Sequence, residues 1–323
     1  MRKYLGKTWR PICAVTLFAC LCSCRKSAPA ALDPATSSPG SVLTLRLATY
    51  NVRNYNSIDR HIGGEFKPHW PKSEEEKTAV RAVIRSVHPD ILALEEMGAG
   101  GELDELRCDL ANEGLTYSYS ALVNGPDPDR HVALLSRVPF TAIYPHEKIT
   151  FTLNGNREQV LRGLLEVDFT TNGQPWALYI VHLKSRITES STDPQSAAER
   201  EGEARAVRDI VRKEQNLPGP ALVAVVGDFN DARDSPALKR FTELDGIPFL
   251  KIPPDADSHG ETWTSVYGRA DEYDRSDYIL LSTTLAALEK SRGGIADPPE
   301  TKTASDHRLV WADLSFPTPE QKN

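Results

Sequence analysis

A chain of 323 residues, 40% hydrophobic and 26% charged, has ordinary soluble composition and can build one large domain or two smaller ones. Its formal net charge of −7 excludes the overall basic excess that marks non-specific nucleic-acid binding, though an acidic total is compatible with a local basic groove. Four of the five cysteines fall at 13, 20, 22 and 24 and only Cys108 lies in the body, which excludes an intramolecular disulfide framework there.

The first ten residues carry Arg2, Lys3, Lys7 and Arg10 and no acid, and Ile12 to Cys22 is apolar. That run is shorter than the roughly 20 residues a spanning helix needs, and it matches a signal-peptide core. Leu21-Cys22-Ser23-Cys24 resembles a bacterial lipobox, with Cys24 as the lipidated residue and Leu17-Phe18-Ala19-Cys20 as a weaker competitor. Residues 25–42, rich in Ala, Pro and Ser, read as a flexible tether, 43–317 as one large domain, and 318–323 as a tail. An exported lipoprotein on the periplasmic or cell-surface side of a bacterium is therefore expected.

Val42 to Tyr50 alternates at Leu43, Leu45 and Leu47, which predicts a strand running into Asn51-Val52-Arg53. Glu74 to Val87 has a helical apolar period, acids at its start, and His88-Pro89 to stop it. Ile91 to Leu94 reads as a short buried strand ending in Glu95-Glu96, and Glu102 to Ala111 as a helix. Strands are predicted at Tyr117 to Leu122 and Val132 to Leu135. Leu161 to Phe169 and Trp176 to Val181 should be two more, joined by the turn Thr171-Asn172-Gly173. A charged helix covers Gln195 to Glu214, a strand Ala221 to Val226, and a helix starts at Ser235-Pro236. Tyr278 to Leu281 and Leu309 to Leu314 complete the strands. Many strands with few helices predict an α/β protein of packed sheets covered by helices.

The strands keep ending in the same polar residue types. Asn51, Glu96, His182, Asp228 with Asn230, Asp277 and Asp306-His307 all sit at such ends. One Gly-Asp-x-Asn, as in Gly227 to Asn230, is ordinarily a turn, and one histidine is ordinarily a satisfied or solvated one. Six such ends around one sheet system point instead to a shared site. Oxygen ligands in small number suit Mg²⁺, and the absence of clustered Cys and His disfavours zinc. His307, with Asp277 to orient it, suits proton transfer near neutral pH. Asn51 and Asn230 could contact phosphate oxygens without adding repulsive charge.

Seven stretches occur in one order: Tyr50-Asn51-Val52-Arg53, Leu94-Glu95-Glu96, Ala133 to Arg137, Val181 to Ser185, Gly227 to Asn230, Ser276-Asp277-Tyr278 and Ser305-Asp306-His307. This series resembles the endonuclease/exonuclease/phosphatase superfamily of metal-dependent phosphoesterases. The resemblance implies a four-layered α/β sandwich, deoxyribonuclease I-like, with the site at one edge of two facing sheets. It implies Mg²⁺, or Mn²⁺, on Glu96 helped by Asn51 and Asp306. It assigns Asp228 to the attacking water, Asn230 to a phosphate oxygen, and Asp277 with His307 to an acid–histidine pair. His182 would act at the leaving group with Asp129 as its acid, and Arg53 and Arg157 would bind phosphate, with Arg162 close by. Glu95 stands where the family usually has Gln. Alternation along a strand is expected to turn it away from Glu96.

The expected activity is metal-assisted hydrolysis of phosphoesters by a monomer, a phosphodiesterase or nuclease in the first place, the nuclease being favoured by His182, Arg53 and Arg157. A lipid-headgroup phosphodiesterase, a phosphatase, and a non-catalytic binding protein on the same fold are the alternatives.

Overall fold

The computed structural model describes residues 42–188, 190–216 and 221–318. The signal segment 1–24 with Cys20 and Cys24, the tether up to residue 41, and the tail from 319 lie outside the described residues. Among the described residues no helix is long and apolar enough to cross a membrane.

The chain opens with β1 (Val42–Tyr55), a hairpin of β2 (Ser57–Ile62) and β3 (Glu65–Pro71), α1 (Glu74–Val87), β4 (Ile91–Met97) and α2 (Gly100–Asn112). It continues through β5 (Tyr119–Val123), β6 (His131–Ser136), β7 (Ala142–His146), a hairpin of β8 (Thr150–Leu153) and β9 (Asn156–Gln159), β10 (Leu164–Thr171) and β11 (Gln174–His182). Next come α3 (Ala197–Glu214), β12 (Val223–Asp228), α4 (Pro236–Thr242) and the short strands β13 (Glu243–Leu244), β14 (Ile247–Pro248) and β15 (Leu250–Lys251). The last part holds the hairpin β16 (Ser265–Tyr267) and β17 (Glu272–Asp274), β18 (Asp277–Ser282), α5 (Thr283–Ala286), β19 (Glu289–Ile295), α6 (Thr301–Ala304) and β20 (Val310–Pro317).

Two six-stranded sheets carry the architecture, one ordered β19-β20-β1-β4-β6-β5 and the other β15-β18-β12-β11-β10-β7. Both mix parallel and antiparallel pairs: β1 runs parallel to β4 and antiparallel to β20, and β11 runs parallel to β12. The inner core between the sheets takes alternate residues: Leu45 and Leu47 of β1, Ile91 and Ala93 of β4, Leu178 and Ile180 of β11, Ala224 and Val226 of β12, Ile279 and Leu281 of β18. The other face of the first sheet packs on α1 and α2 through Val80, Val83, Ile84, Leu106 and Leu110. The other face of the second packs on α3 and α4 through Val207, Val211, Leu238 and Phe241. The result is the helix–sheet–sheet–helix sandwich expected from the sequence.

Local chemistry explains the helix ends. Ser73 and Glu76 form a reciprocal capping box at the start of α1, whose bounds match the sequence reading. The Ser235 side chain accepts from Leu238 N, with Pro236 in the first turn of α4. The strands that escaped the sequence reading are the hairpins β2–β3, β8–β9 and β16–β17, the short pair β13–β14, and the edge strands β7, β15 and β19. The three hairpins bury too few side chains to print an alternating pattern.

Candidate active site

Strand parity assembles the site. The alternation that sends Leu45, Leu47, Ile91 and Ala93 into the inner core continues one step to Thr49, Asn51 and Glu95. In the facing sheet the same continuation brings in His182, Asp228 and Asp277. These three stand in one row, because His182 pairs with Asp228 across β11–β12 and Asp228 with Asp277 across β12–β18. Asn51 and Glu95 are likewise register partners. All five are at most 1% exposed. Gly227 permits the approach of β12: a Cβ there would lie 1.9 Å from Val181 O, and its φ of +138° disfavours any side chain.

Asp228 is the centre. Its Oδ2 accepts from Asn51 Nδ2 at 2.9 Å and its Oδ1 from the Asn230 backbone N at 2.8 Å. The same Oδ2 lies 3.6 Å from His182 Nε2 and 3.8 Å from His307 Nε2. His307 Nδ1 is 2.9 Å from Asp277 Oδ2, which also accepts from Ser276 Oγ at 3.0 Å. Asp277 is fixed from behind by Thr264, whose Oγ1 accepts from both Ser276 N and Asp277 N at 3.0 Å. Ser305 Oγ donates to Asn51 O at 2.8 Å and accepts from His307 N, tying the His307 segment to β1. Sequence reasoning missed Thr264, 13 positions before Asp277, and gave Ser305 no role although it opens the Ser305-Asp306-His307 stretch.

Burial sets the charges. It pushes the Asp228 carboxyl up to about 7, against the opposing pull of His307 and the hydrogen bonds from Asn230 and Asn51. Burial acts to lower His307, but Asp277 and Asp228 together outweigh it and hold the imidazole well above its usual range, as a cation. His182 is driven well below its usual range by burial, with Arg162, His307 and Arg130 adding repulsion, and so is neutral. Glu95 is raised well above the carboxylate range by burial and by the neighbouring Asp277 and Asp228. Its Oε1 accepts from Thr49 Oγ1 at 2.7 Å, while its Oε2 has no hydrogen-bond partner.

Glu95 therefore does not turn out of the site as expected. Parity from Ile91 and Ala93 carries it to the inner face, and the strand is regular up to that point. The irregularity comes one residue later: pairing of β4 with β6 shifts register between Leu94 and Met97, and Glu96 has φ +58°. That bulge swings Glu96 to the half-exposed rim, where its Oε2 accepts from Asn54 N at 2.9 Å. Arg53 and Asn54 also have positive φ, and Arg53 Nε lies 3.5 Å from Asp306 Oδ2. The carboxamide oxygen of Asn51 accepts from Arg53 N at 3.0 Å. Asn51, Arg53, Glu96 and Asp306 are thus linked along this edge.

Two sequence expectations are not met. Asp129 is exposed and does not pair with His182, whose Nδ1 has no partner. The neighbouring Asp127 folds the loop instead, accepting from Asp129 N and Arg130 N, and takes Arg162 at 3.2 Å. Arg157 is exposed on the β8–β9 hairpin, where it reaches Thr150 Oγ1 at 3.4 Å, and it is the buried Arg162 whose charge reaches His182. The Asn230 amide donates to Leu183 O at 2.9 Å, so one of its two amide protons is committed to the β11 end.

Five carboxylates, Glu95, Glu96, Asp228, Asp277 and Asp306, thus stand against one imidazolium and Arg53. Asp228, Asp277 and His307 bring potential ligand atoms within 4.8 Å of one another, that of His307 being open to a cation only in the neutral imidazole. An excess of buried acid with an orphaned oxygen is a donor set that fits a divalent cation.

A family model, "Endonuclease/Exonuclease/phosphatase family", matches residues 48–307. The chain belongs to this family of phosphoester hydrolases and has its mixed α/β fold. Among solved structures it is similar to the endonuclease/exonuclease/phosphatase from Bacteroides vulgatus at 18% identity, covering 84% of this chain and 98% of that one, with a TM-score of 0.59. It is similar to the catalytic domain of human Nocturnin at 17% identity, covering 87% and 100%, with a TM-score of 0.57. It is also similar to sphingomyelinase C from Streptomyces griseocarneus at 16% identity, covering 84% and 99%, with a TM-score of 0.56. No curated protein sequence matches.

Proposed function

We propose that this chain hydrolyses phosphodiesters with a divalent cation, Mg²⁺ or Mn²⁺ in its place. The carrying observation is the convergence on Asp228 of Asn51, the Asn230 backbone and two histidines at one edge of the facing sheets.

Asp228 orients the attacking water and takes its proton, a task suited to a carboxylate titrating near 7. As water's oxygen bonds to phosphorus, the ester P–O bond breaks. His307, kept protonated by Asp277, faces the phosphoryl oxygens and holds the proton that the departing oxygen needs. His182, kept neutral, offers only a hydrogen bond on that side. Arg53, half exposed at the rim, meets the phosphate charge on entry. The cation would be held by Glu96 and Asp306 with the Asn51 carboxamide, and when bound it supplies neutralisation of charge developing on the phosphoryl group. Arg157 does not reach this site, and no Asp129–His182 pair forms.

Outside the described residues, we propose export as a lipoprotein carrying lipid on Cys24. Metabolic palmitate labelling that survives Cys24→Ala would refute this assignment.

The test of the activity is turnover of bis-p-nitrophenyl phosphate, single-stranded DNA, RNA and phospholipid, each with and without EDTA. Hydrolysis that EDTA abolishes and Mg²⁺ restores is expected. No turnover across that panel would make the chain a binding protein on this fold.

A further inference from the structure

A lysine between a strand and a helix is ordinarily solvated, but Lys72, between Pro71 of β3 and the Ser73 cap of α1, is 2% exposed. Its Nζ donates to Arg53 O at 3.1 Å. Burial pulls this amine down to about 8, with Arg53 and Arg60 adding repulsion against the pull of Glu76 and Asp306. A buried amine held below its usual range weakens the folded state at neutral pH, so stability does not account for it. Arg60, half-buried in β2, reaches the same segment. Its Nη2 donates to Asn54 O at 2.7 Å and to Asn56 O at 3.2 Å, and its Nε donates to Trp70 O at 3.0 Å across the hairpin.

The carbonyls that these two cations hold belong to the turn where β1 leaves its regular pairing. Arg53 and Asn54 have φ of +47° and +50°, and the register of β1 against β4 shifts between Asn51 and Tyr55. Successive non-glycine residues in the left-handed region are strained and persist only where their surroundings over-determine them. Arg53 O and Asn54 N belong to one planar peptide unit, so holding the oxygen aims the N–H. The oxygen is held by Lys72, and the N–H is the donor that Glu96 Oε2 accepts at 2.9 Å. The side chain of Arg53, carried by the same turn, lies 3.5 Å from Asp306. We propose that Lys72 is a positioning residue for Glu96, acting through the Arg53–Asn54 peptide, and that Arg60 supports it by holding the next carbonyl. The inference rests on the cation-assisted hydrolysis argued above and adds the residues that set its cation-binding edge.

The experiment uses the full chain and its Lys72→Met, Arg60→Met and Arg60→Lys variants. The Lys72→Met change keeps an apolar stem and removes the donor. Amide exchange, followed by mass spectrometry, should quicken about tenfold or more over residues 53–56 in both Met variants, the scale of one lost hydrogen bond. Mn²⁺ titrated calorimetrically should bind about 10- to 100-fold more weakly, the range for losing an outer partner of a metal ligand. Arg60→Lys, which keeps a cation and a donor, should return both readouts toward the parent. If Lys72→Met does not fold, the half-buried Arg60→Met carries the same two measurements. Faster exchange confined to the β2–β3 hairpin, with Mn²⁺ affinity unmoved, would make Lys72 and Arg60 fasteners of that hairpin and overturn the proposal, leaving the catalytic reading intact. A parent that binds Mn²⁺ but hydrolyses no phosphodiester overturns the catalytic reading alone, and weaker Mn²⁺ binding by the Met variants still upholds the role of Lys72.

Discussion

Asn51 Nδ2 donates to Asp228 Oδ2 at 2.9 Å, and this bond crosses from one sheet to the other. The two residues are 177 positions apart and neither reaches solvent. Asn51→Ala should leave Asp228 with an unpaired buried oxygen, at a cost of about 1–3 kcal/mol. Activity should fall by roughly two orders of magnitude, as when a preorganised donor is removed. Urea unfolding and initial rates on bis-p-nitrophenyl phosphate measure both.

The Asp277–His307 pair should be essential to rate and dispensable for folding. His307→Ala and Asp277→Asn should each lower kcat by about 10²–10⁴, the usual contribution of a positioned acid or base. Circular dichroism should stay native. Turnover within a few-fold of the parent would refute the role given to the pair.

Asp228 can take a proton only when ionised, and burial raises it to about 7. In limiting cation, kcat/KM should therefore rise with pH through about 7 and level off above. Saturating Mg²⁺ should move this limb to lower pH, because positive charge favours the carboxylate. A rate that falls across pH 6 to 8 would contradict the assignment of Asp228 as base.

Glu95 should weaken the cation-free protein as pH rises. Its folded pKa lies above its unfolded one, so the stability it lends is full below the unfolded carboxylate range and is lost as pH climbs toward the folded value. Glu95→Gln removes that loss and keeps an acceptor for Thr49. In EDTA the variant should gain on the parent by about 1–3 kcal/mol at pH 8, the scale of one unsatisfied buried group, and by little near pH 4. Urea midpoints at the two pH values decide it.

Cation affinity should track Glu96 at the rim. Glu96→Gln should raise the Mn²⁺ concentration needed for half-maximal rate about 10- to 100-fold or more, a change of the size seen even for outer partners of metal ligands. Isothermal titration with Mn²⁺ gives the same quantity without turnover.

Much of this site could be read from the chain because the second sheet obeys simple alternation up to its last residue. His182, Asp228 and Asp277 end strands whose apolar positions already fix which face they share. The first sheet was less legible where its backbone leaves the regular strand. Three polar positions, Arg53, Asn54 and Glu96, sit at positive φ, and their residue types do not announce it. Glu95 was misplaced for that reason. Asp129 and Arg157 were misplaced for another: both lie in surface loops or hairpins with no buried face, so nothing in the pattern distinguishes them from Asp127 and Arg162, which do turn inward. The β2–β3 hairpin left no trace in the hydrophobic period because it buries no side chain fully.

β1 is also a ruler. It enters at Val42 and reaches the chemistry at Asn51, about nine residues or ~30 Å later at ~3.3 Å per residue. Anything fastened upstream of Val42 begins at the pole opposite the reacting atoms. A fluorophore, solid support or partner domain joined there would leave the mouth of the pocket unobstructed.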